Sequence, residues 1–282
     1  MKKAVKYIFI IGIGALLGIL AERNKQYLIN GQFIRDHWHF RKAIADKDKI
    51  IDADKTMVVL TFGQSNSGNY GLGTYTCKNQ EIYNYYKGEL YKAKEPLLGA
   101  DGGACSVWTR VADMLIDSGL YKKVVIIPCG IGSTSVGCWD NGPCHVKLAQ
   151  MLDYLKKDHI KVTHILWDQG ETDNVNHTTK AQYKERLENI IKFLRSNQFN
   201  APFFPSITSY CSFGNDNPMG IDTSITSAQN EIIKEVNNVK RGPNTDSINL
   251  SYYRYDFLHF TEAGLDVLAH GWYKKIKAAS KS

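Results

Sequence analysis

From residue 56 onward the chain alternates between two hydrophobic periods. Short, continuous apolar runs, TMVVLTF (56–62), KVVIIPCG (123–130), VTHILWDQG (162–170), APFFPSITS (201–209) and SINL (247–250), read as buried strands. Between them lie segments with helical spacing. Val107, Val111, Met114 and Leu115 form one stripe, closed by Gly119, and Leu148, Met151, Leu152 and Leu155 form another. Tyr183, Leu187, Ile190, Ile191 and Leu194 share a third face; SAQNEIIKEVNN (227–238) and TEAGLDVLAHGWYKKIKAA (261–279) complete the helical set. Strands that are apolar throughout must be covered on both faces, and regular alternation with amphipathic helices predicts parallel pairing. The expected fold is a three-layer α/β/α sandwich with a mainly parallel sheet of about five strands.

The first 54 residues break this pattern. MKKAVKYIFIIGIGALLGILAERNK places Lys2, Lys3 and Lys6 before an uncharged apolar run from Tyr7 to Ala21. That arrangement predicts a signal-anchor or signal peptide over 1–21, with the lysines left in the cytoplasm and the remainder exported. The chain is then membrane-anchored facing the extracytoplasmic (periplasmic) side, or secreted if cleaved near Ala21. Residues 22–54 read as a polar connecting segment and 55–282 as the main domain. The net charge of +7 comes largely from lysines near the two ends, with no basic stripe interleaved with aromatics, so nucleic acid is not an expected partner. Six cysteines in an exported chain permit disulfides, and Cys138 and Cys144, flanking the turn-rich WDNGP, are the best pair. The same stretch with His145 lacks the second ligand pair that a zinc site needs, and no metal is expected.

In parallel sheets, sites form beyond the carboxyl ends of the strands. There the chain places Gly63-Gln64-Ser65-Asn66, PCGIGSTS (128–135) and Asp168-Gln169-Gly170-Glu171-Thr172-Asp173. Asp256 and His259 follow in YDFLHFTEAG, just before the last helix, which Thr261 is placed to cap. Ser65, Asp256 and His259 make a candidate catalytic set: a serine hydroxyl needs an adjacent base, and that base needs an acidic partner on its other ring nitrogen. Three kinds of donor are open for an oxyanion: the Ser65 N–H, an N–H of the small-residue loop DGGACS (101–106), and the Gln169 amide. Glu171 and Asp173 read either as a general acid and base or as residues that organise their loop.

GQSN after the first strand, QGETD after a later one and Asp-x-x-His near the C-terminus together resemble the SGNH hydrolase superfamily. Within it the chain is similar to the sialic-acid-specific acetylesterases and their carbohydrate acetylesterase relatives, over about residues 56 to 275. The resemblance implies a flavodoxin-like sheet and a serine esterase that removes O-acetyl groups from a carbohydrate through an acetyl-enzyme, with no cofactor. It implies Ser65 as nucleophile, His259 as base and Asp256 as its partner, with Gln169 in an oxyanion role and Gly103 and Glu171 at the oxyanion and substrate positions. The sequence departs from the family pattern in two places. Asp168 stands where relatives often have His, and Ala104 and Cys105 stand where they often have two glycines, which leaves Gly103 and Ala104 both open as backbone donors. An O-acetyltransferase with the same triad and a non-catalytic sugar-binding module are the alternative functions.

Overall fold

Six strands, β1 (Thr56–Gly63), β2 (Ile82–Tyr86), β3 (Glu89–Lys92), β4 (Lys123–Pro128), β5 (His164–Asp168) and β6 (Phe203–Pro205), form one sheet in the order β3-β2-β4-β1-β5-β6. The computed structural model describes residues 41–212 and 220–280, so the predicted segment 1–21 and most of the connecting segment lie outside the described residues. Every pairing is parallel except β2 with β3. Side chains along a strand point alternately to opposite faces, and β1 shows the consequence. Val58, Leu60 and Phe62 enter one core, with Leu148, Leu152, Leu187 and Ile190. Met57 and Val59 enter the other, with Val111, Leu115, Leu268 and Trp272.

Among the described residues eight helices connect and cover the strands: α1 (Lys47–Ile51), α2 (Trp108–Asp117), α3 (Val136–Asp140), α4 (Pro143–Lys157), α5 (Glu171–Val175), α6 (Lys180–Ser196), α7 (Thr223–Glu235) and α8 (Glu262–Ala279). Helices α4, α6 and α7 bury their apolar stripes on one face and α2 and α8 on the other. This is the expected three-layer sandwich. Helix α6 opens with a capping box between Thr179 and Gln182, and α8 opens on Thr261, whose hydroxyl accepts the Gly264 N–H at 3.2 Å.

Three local expectations change. First, the sequence reading passed over the β2–β3 hairpin. Its signal was the pair of runs IYNYY and ELYK joined by Lys87-Gly88, both with positive φ (49° and 87°), the geometry that two-residue hairpin loops favour. Second, SINL is not a strand. The Ile248 N–H closes a turn on Thr245 O at 3.0 Å, and buried Arg254 takes the carbonyls of Thr245 and Ile248, so the backbone is committed elsewhere. Third, residues 42–54 pack on the domain rather than merely leading to it. The Ile44 N–H donates to Leu90 O at 2.8 Å, Lys47 pairs with Asp158 at 2.7 Å, and Ile51 is buried.

Because β1 is central, with β4 on one side and β5 on the other, the chain reverses its direction of sheet-building beside β1. In such sheets sites form at this switch point, beyond the carboxyl ends of the strands, and the loop after β1 begins there.

Candidate active site

β1 ends where it does because only glycine fits. Gly63 has φ +135°, and a Cβ there would lie 2.1 Å from Asp168 O on β5. The Gln64 N–H then donates to the same carbonyl at 3.0 Å, and Ser65–Ser67 wind into a single 3-10 turn. The Trp108 indole N–H holds this turn through Ser67 O at 2.8 Å. At the open end of a helical turn the first N–H groups have no internal partner, and among the described residues the Ser65 N–H has no protein acceptor.

The histidine arrives on a tight loop. Arg254 and Phe260 bridge antiparallel, and the Tyr255 N–H donates to His259 O at 3.0 Å. Inside the loop, Asp256 Oδ1 accepts the backbone N–H of Leu258 (3.1 Å) and of His259 (2.6 Å). Its Oδ2 accepts His259 Nδ1–H at 2.6 Å, which leaves Nε2 as the acceptor for the Ser65 hydroxyl at 2.8 Å. Burial pushes the Asp256 carboxyl up, but the imidazole and the two backbone donors outweigh it and hold it below the usual carboxylate range. Ser65, Asp256 and His259 thus form one continuous hydrogen-bonded chain. Phe257, between the acid and the histidine, adopts φ +64° with its side chain 58% exposed, a conformation that bulky residues rarely occupy.

The QGETD loop locks onto the serine loop rather than facing substrate. Gln64 Oε1 accepts the N–H groups of Gly170 (3.3 Å) and Thr172 (3.0 Å), satisfying the start of α5. The expectation that Gln169 donates to an oxyanion is corrected here. Its side chain is fully buried, and its amide nitrogen is spent on Asp173 Oδ2 (2.6 Å), Thr134 O (3.0 Å) and Gln64 Oε1 (3.2 Å). Gln169→Ala is therefore expected to cost about 2–4 kcal/mol of stability, through a buried cavity and a carboxylate stripped of a donor, read as a lower denaturant midpoint. A kcat deficit at unchanged stability would restore the oxyanion role.

Glu171 is likewise buried and does not contact the open side of the site. Its Oε1 accepts Asn66 Nδ2–H at 2.6 Å, and Asn66 also reaches Leu258 O at 3.4 Å, next to His259. The Arg254 guanidinium donates to the same Leu258 carbonyl. Asp168 accepts the Ser206 hydroxyl at 2.7 Å, while Asp168 Oδ2 and Glu171 Oε2 are buried without a partner. Burial first, then the charge of Asp168, pushes Glu171 up; burial pushes Asp168 up as well. An acid raised on folding leaves stability intact below its unfolded pKa and removes it as pH rises through the folded one. Glu171→Gln keeps an acceptor for Asn66 and removes that charge. Denaturant midpoints of variant and wild type, compared from pH 5 to pH 8, are expected to shift steadily in the variant's favour; a pH-independent difference would contradict this.

Gly103 sits beside the serine loop. Residues 101–105 run along 69–71, with the Asn69 N–H on Asp101 O (2.8 Å), the Ala104 N–H on Asn69 O (2.9 Å) and a bridge between Gly71 and Cys105. The Ala104 N–H is thereby consumed, whereas the Gly103 N–H has no protein acceptor among the described residues. Of the two backbone donors left open by the sequence, Gly103 is the free one. Two aromatic rings that sequence reasoning missed also meet the histidine: Tyr70 stacks on His259 at 5.3 Å and 16°, and Tyr255 at 5.9 Å and 26°. Adjacency in sequence to the Ser and His motifs was their only signal. Cys138 and Cys144 are disulfide-bonded, joining the middle of α3 to the start of α4. Among the described residues no group of His, Cys, Asp and Glu is arranged to hold a metal.

The sheet is mainly parallel, with Ser65 at the end of its central strand and Asp256 and His259 before its last helix. Residues 55–276 match the family described as carbohydrate esterase, sialic acid-specific acetylesterase, and the chain belongs to that family. Membership places it among the carbohydrate esterases, a class of hydrolases. Solved structures share the fold. A protein from Arabidopsis thaliana has a TM-score of 0.62 at 18% identity, over 79% of this chain and 98% of that one. A carbohydrate acetylesterase from Xanthomonas citri has 0.56 at 16%, over 78% and 55%. An acetyl xylan esterase from Geobacillus stearothermophilus has 0.51 at 14%, over 80% and 96%. Comparison with curated proteins returns no match.

Proposed function

We propose that this protein removes O-acetyl groups from an acetylated carbohydrate through an acetyl-enzyme on Ser65. The observation that carries this reading is the unbroken chain Ser65 Oγ–His259 Nε2 (2.8 Å) and His259 Nδ1–Asp256 Oδ2 (2.6 Å), at the carboxyl end of the central strand. Ser65 Oγ attacks the acetyl carbonyl carbon while its proton passes to His259 Nε2. Asp256 stabilises the imidazolium so formed. Negative charge develops on the carbonyl oxygen, for which the N–H groups of Ser65 and Gly103, without a protein acceptor among the described residues, are the proposed donors. Collapse breaks the bond to the sugar oxygen, which takes the proton from His259. A water molecule then gives a proton to His259 and attacks the acetyl carbon, and acetate leaves as Ser65 recovers its proton.

A sugar substrate is supported by family membership and by the rim of the site. Tyr252, Tyr255 and Phe257 expose aromatic surface on the loop that carries the acid and the base, and aromatic faces suit the apolar faces of pyranose rings. O-acetylated sialic acid is the substrate that the family description favours. The test is acetate release from a panel of acetylated sialic acids, acetyl xylan and acetylated hexoses, with and without a free sugar acceptor. Acetate release that does not depend on the acceptor is expected. Acetyl transfer without free acetate would make the protein a transferase, and binding without either product would make it a sugar-binding module.

We further infer that residues 1–21 direct the domain across the membrane; the Cys138–Cys144 bond suits an oxidising compartment. Those cysteines are expected to resist alkylation in cells until reduced, and a C-terminal reporter active only in the cytoplasm would contradict export.

A further inference from the structure

Tyr70 occupies a place that three separate loops keep clear. A Cβ at Gly68, in the loop after β1, would lie 3.4 Å from its Cδ2. One at Gly102, beside the free Gly103 N–H, would lie 2.9 Å from the same atom. One at Gly132, in the loop after β4, would lie 2.4 Å from its hydroxyl oxygen and 2.9 Å from Cζ. The opposite boundary is the His259 imidazole, stacked on the ring at 5.3 Å. Tyr70 is also tied to the histidine loop, because its carbonyl accepts the Tyr255 hydroxyl at 3.1 Å. The ring is therefore wedged between His259 and the glycines of three loops, and Ser65, hydrogen-bonded to the same histidine, is only 3% exposed. Burial, with Asp101 and Tyr255 adding, pushes the Tyr70 hydroxyl up to about 12, so it brings no anion to a site where negative charge develops.

We propose that Tyr70 sets the length of the acyl group that Ser65 can accept, admitting acetyl and excluding longer chains. This rests on Ser65 being the esterase nucleophile. Ser65 Oγ lies 2.8 Å from His259 Nε2, on whose ring Tyr70 stacks, so in this proposal the substituent of an acyl carbon on that oxygen is directed toward the tyrosine. A methyl is the smallest carbon substituent, and each further methylene must displace a ring held on several sides. Interiors are packed too closely to absorb such groups without loss.

The experiment compares kcat/KM for p-nitrophenyl acetate, butyrate and hexanoate in wild type, Tyr70→Phe and Tyr70→Ala, with Tyr70→Leu as a second truncation should the alanine variant not fold. Wild type is expected to fall steeply with chain length, and Tyr70→Phe, which keeps the ring, to follow it. Tyr70→Ala or Tyr70→Leu is expected to raise the butyrate-to-acetate ratio at least about 10-fold, the scale of discrimination for a few methylenes. A ratio unchanged by truncation would overturn the role of Tyr70, even if all rates fell together, since that pattern marks a residue that merely supports His259. A wild-type enzyme indifferent to chain length would overturn it too. Labelling of Ser65 by a fluorophosphonate, followed by mass spectrometry, separates the two readings. Labelling with an unchanged ratio removes only the Tyr70 proposal, whereas no labelling and no hydrolysis of any ester removes the esterase reading beneath it.

Discussion

Ser65→Ala is expected to lower kcat about 10⁵- to 10⁶-fold, the loss seen when a nucleophile that acts as a unit with its base is removed. The variant should fold normally. The hydroxyl makes its one hydrogen bond to His259, and the backbone of the 3-10 turn is held by groups that the substitution leaves in place, including the Ser67 N–H on Gln64 O and the indole of Trp108. Residual activity above the uncatalysed rate would come from binding and the backbone donors alone. The measurement is steady-state hydrolysis of an acetyl ester beside a thermal melt, with fluorophosphonate labelling of wild type as control. Near-normal kcat in a folded Ser65→Ala protein, or a label on another residue, would remove Ser65 from the mechanism.

Asp256→Asn is expected to lower kcat about 10³- to 10⁴-fold with KM nearly unchanged, because the carboxylate acts through the imidazole rather than on substrate. The amide oxygen of Asn can replace only one of the acceptor positions that Asp256 fills. If that oxygen keeps the Leu258 and His259 backbone N–H groups, the amide nitrogen faces His259 Nδ1 and forces the wrong tautomer, with a proton on the nitrogen that must accept from Ser65. Asp256 is held ionised by the imidazole and backbone donors, so the wild-type enzyme has this acceptor ready. A folded variant that retains more than about a tenth of wild-type kcat would show that the backbone of the loop, not the carboxylate, orients His259.

Much of the molecule is legible in one dimension. The run from Met57 to Phe62 predicts a strand buried on both faces, and the structure sends its alternate side chains into two cores. The stripe on α6 matches the residues that the helix buries, and those on α2 and α4 do so except for Met114 and Met151, which are only half-buried. These features are local: period and length follow from backbone geometry, and burial follows from the side chains themselves. The β2–β3 hairpin was missed because its strands are short and its evidence lay in a two-residue turn rather than in an apolar run. SINL misled for the converse reason: Ile248 is buried in a turn whose carbonyls are taken by an arginine, and Leu250 is 63% exposed.

The site divides along the same line. The sequence by itself singled out the residues that the structure joins in one hydrogen-bonded chain: a serine after the first strand and an Asp-x-x-His before the last helix, with family motifs in order between them. What only the tertiary structure decided is where each remaining polar group points. Gln169 and Glu171 lie in the right loop for contact with substrate, yet one is consumed by Asp173, Thr134 and Gln64, and the other by Asn66. Tyr70, with no motif to mark it, lies against His259. A motif specifies residue types and spacing along the chain, whereas the partner of a buried amide or the wall of a pocket depends on strand order. Here that order sets the loops after β1, β4 and β5 side by side, from positions far apart in sequence.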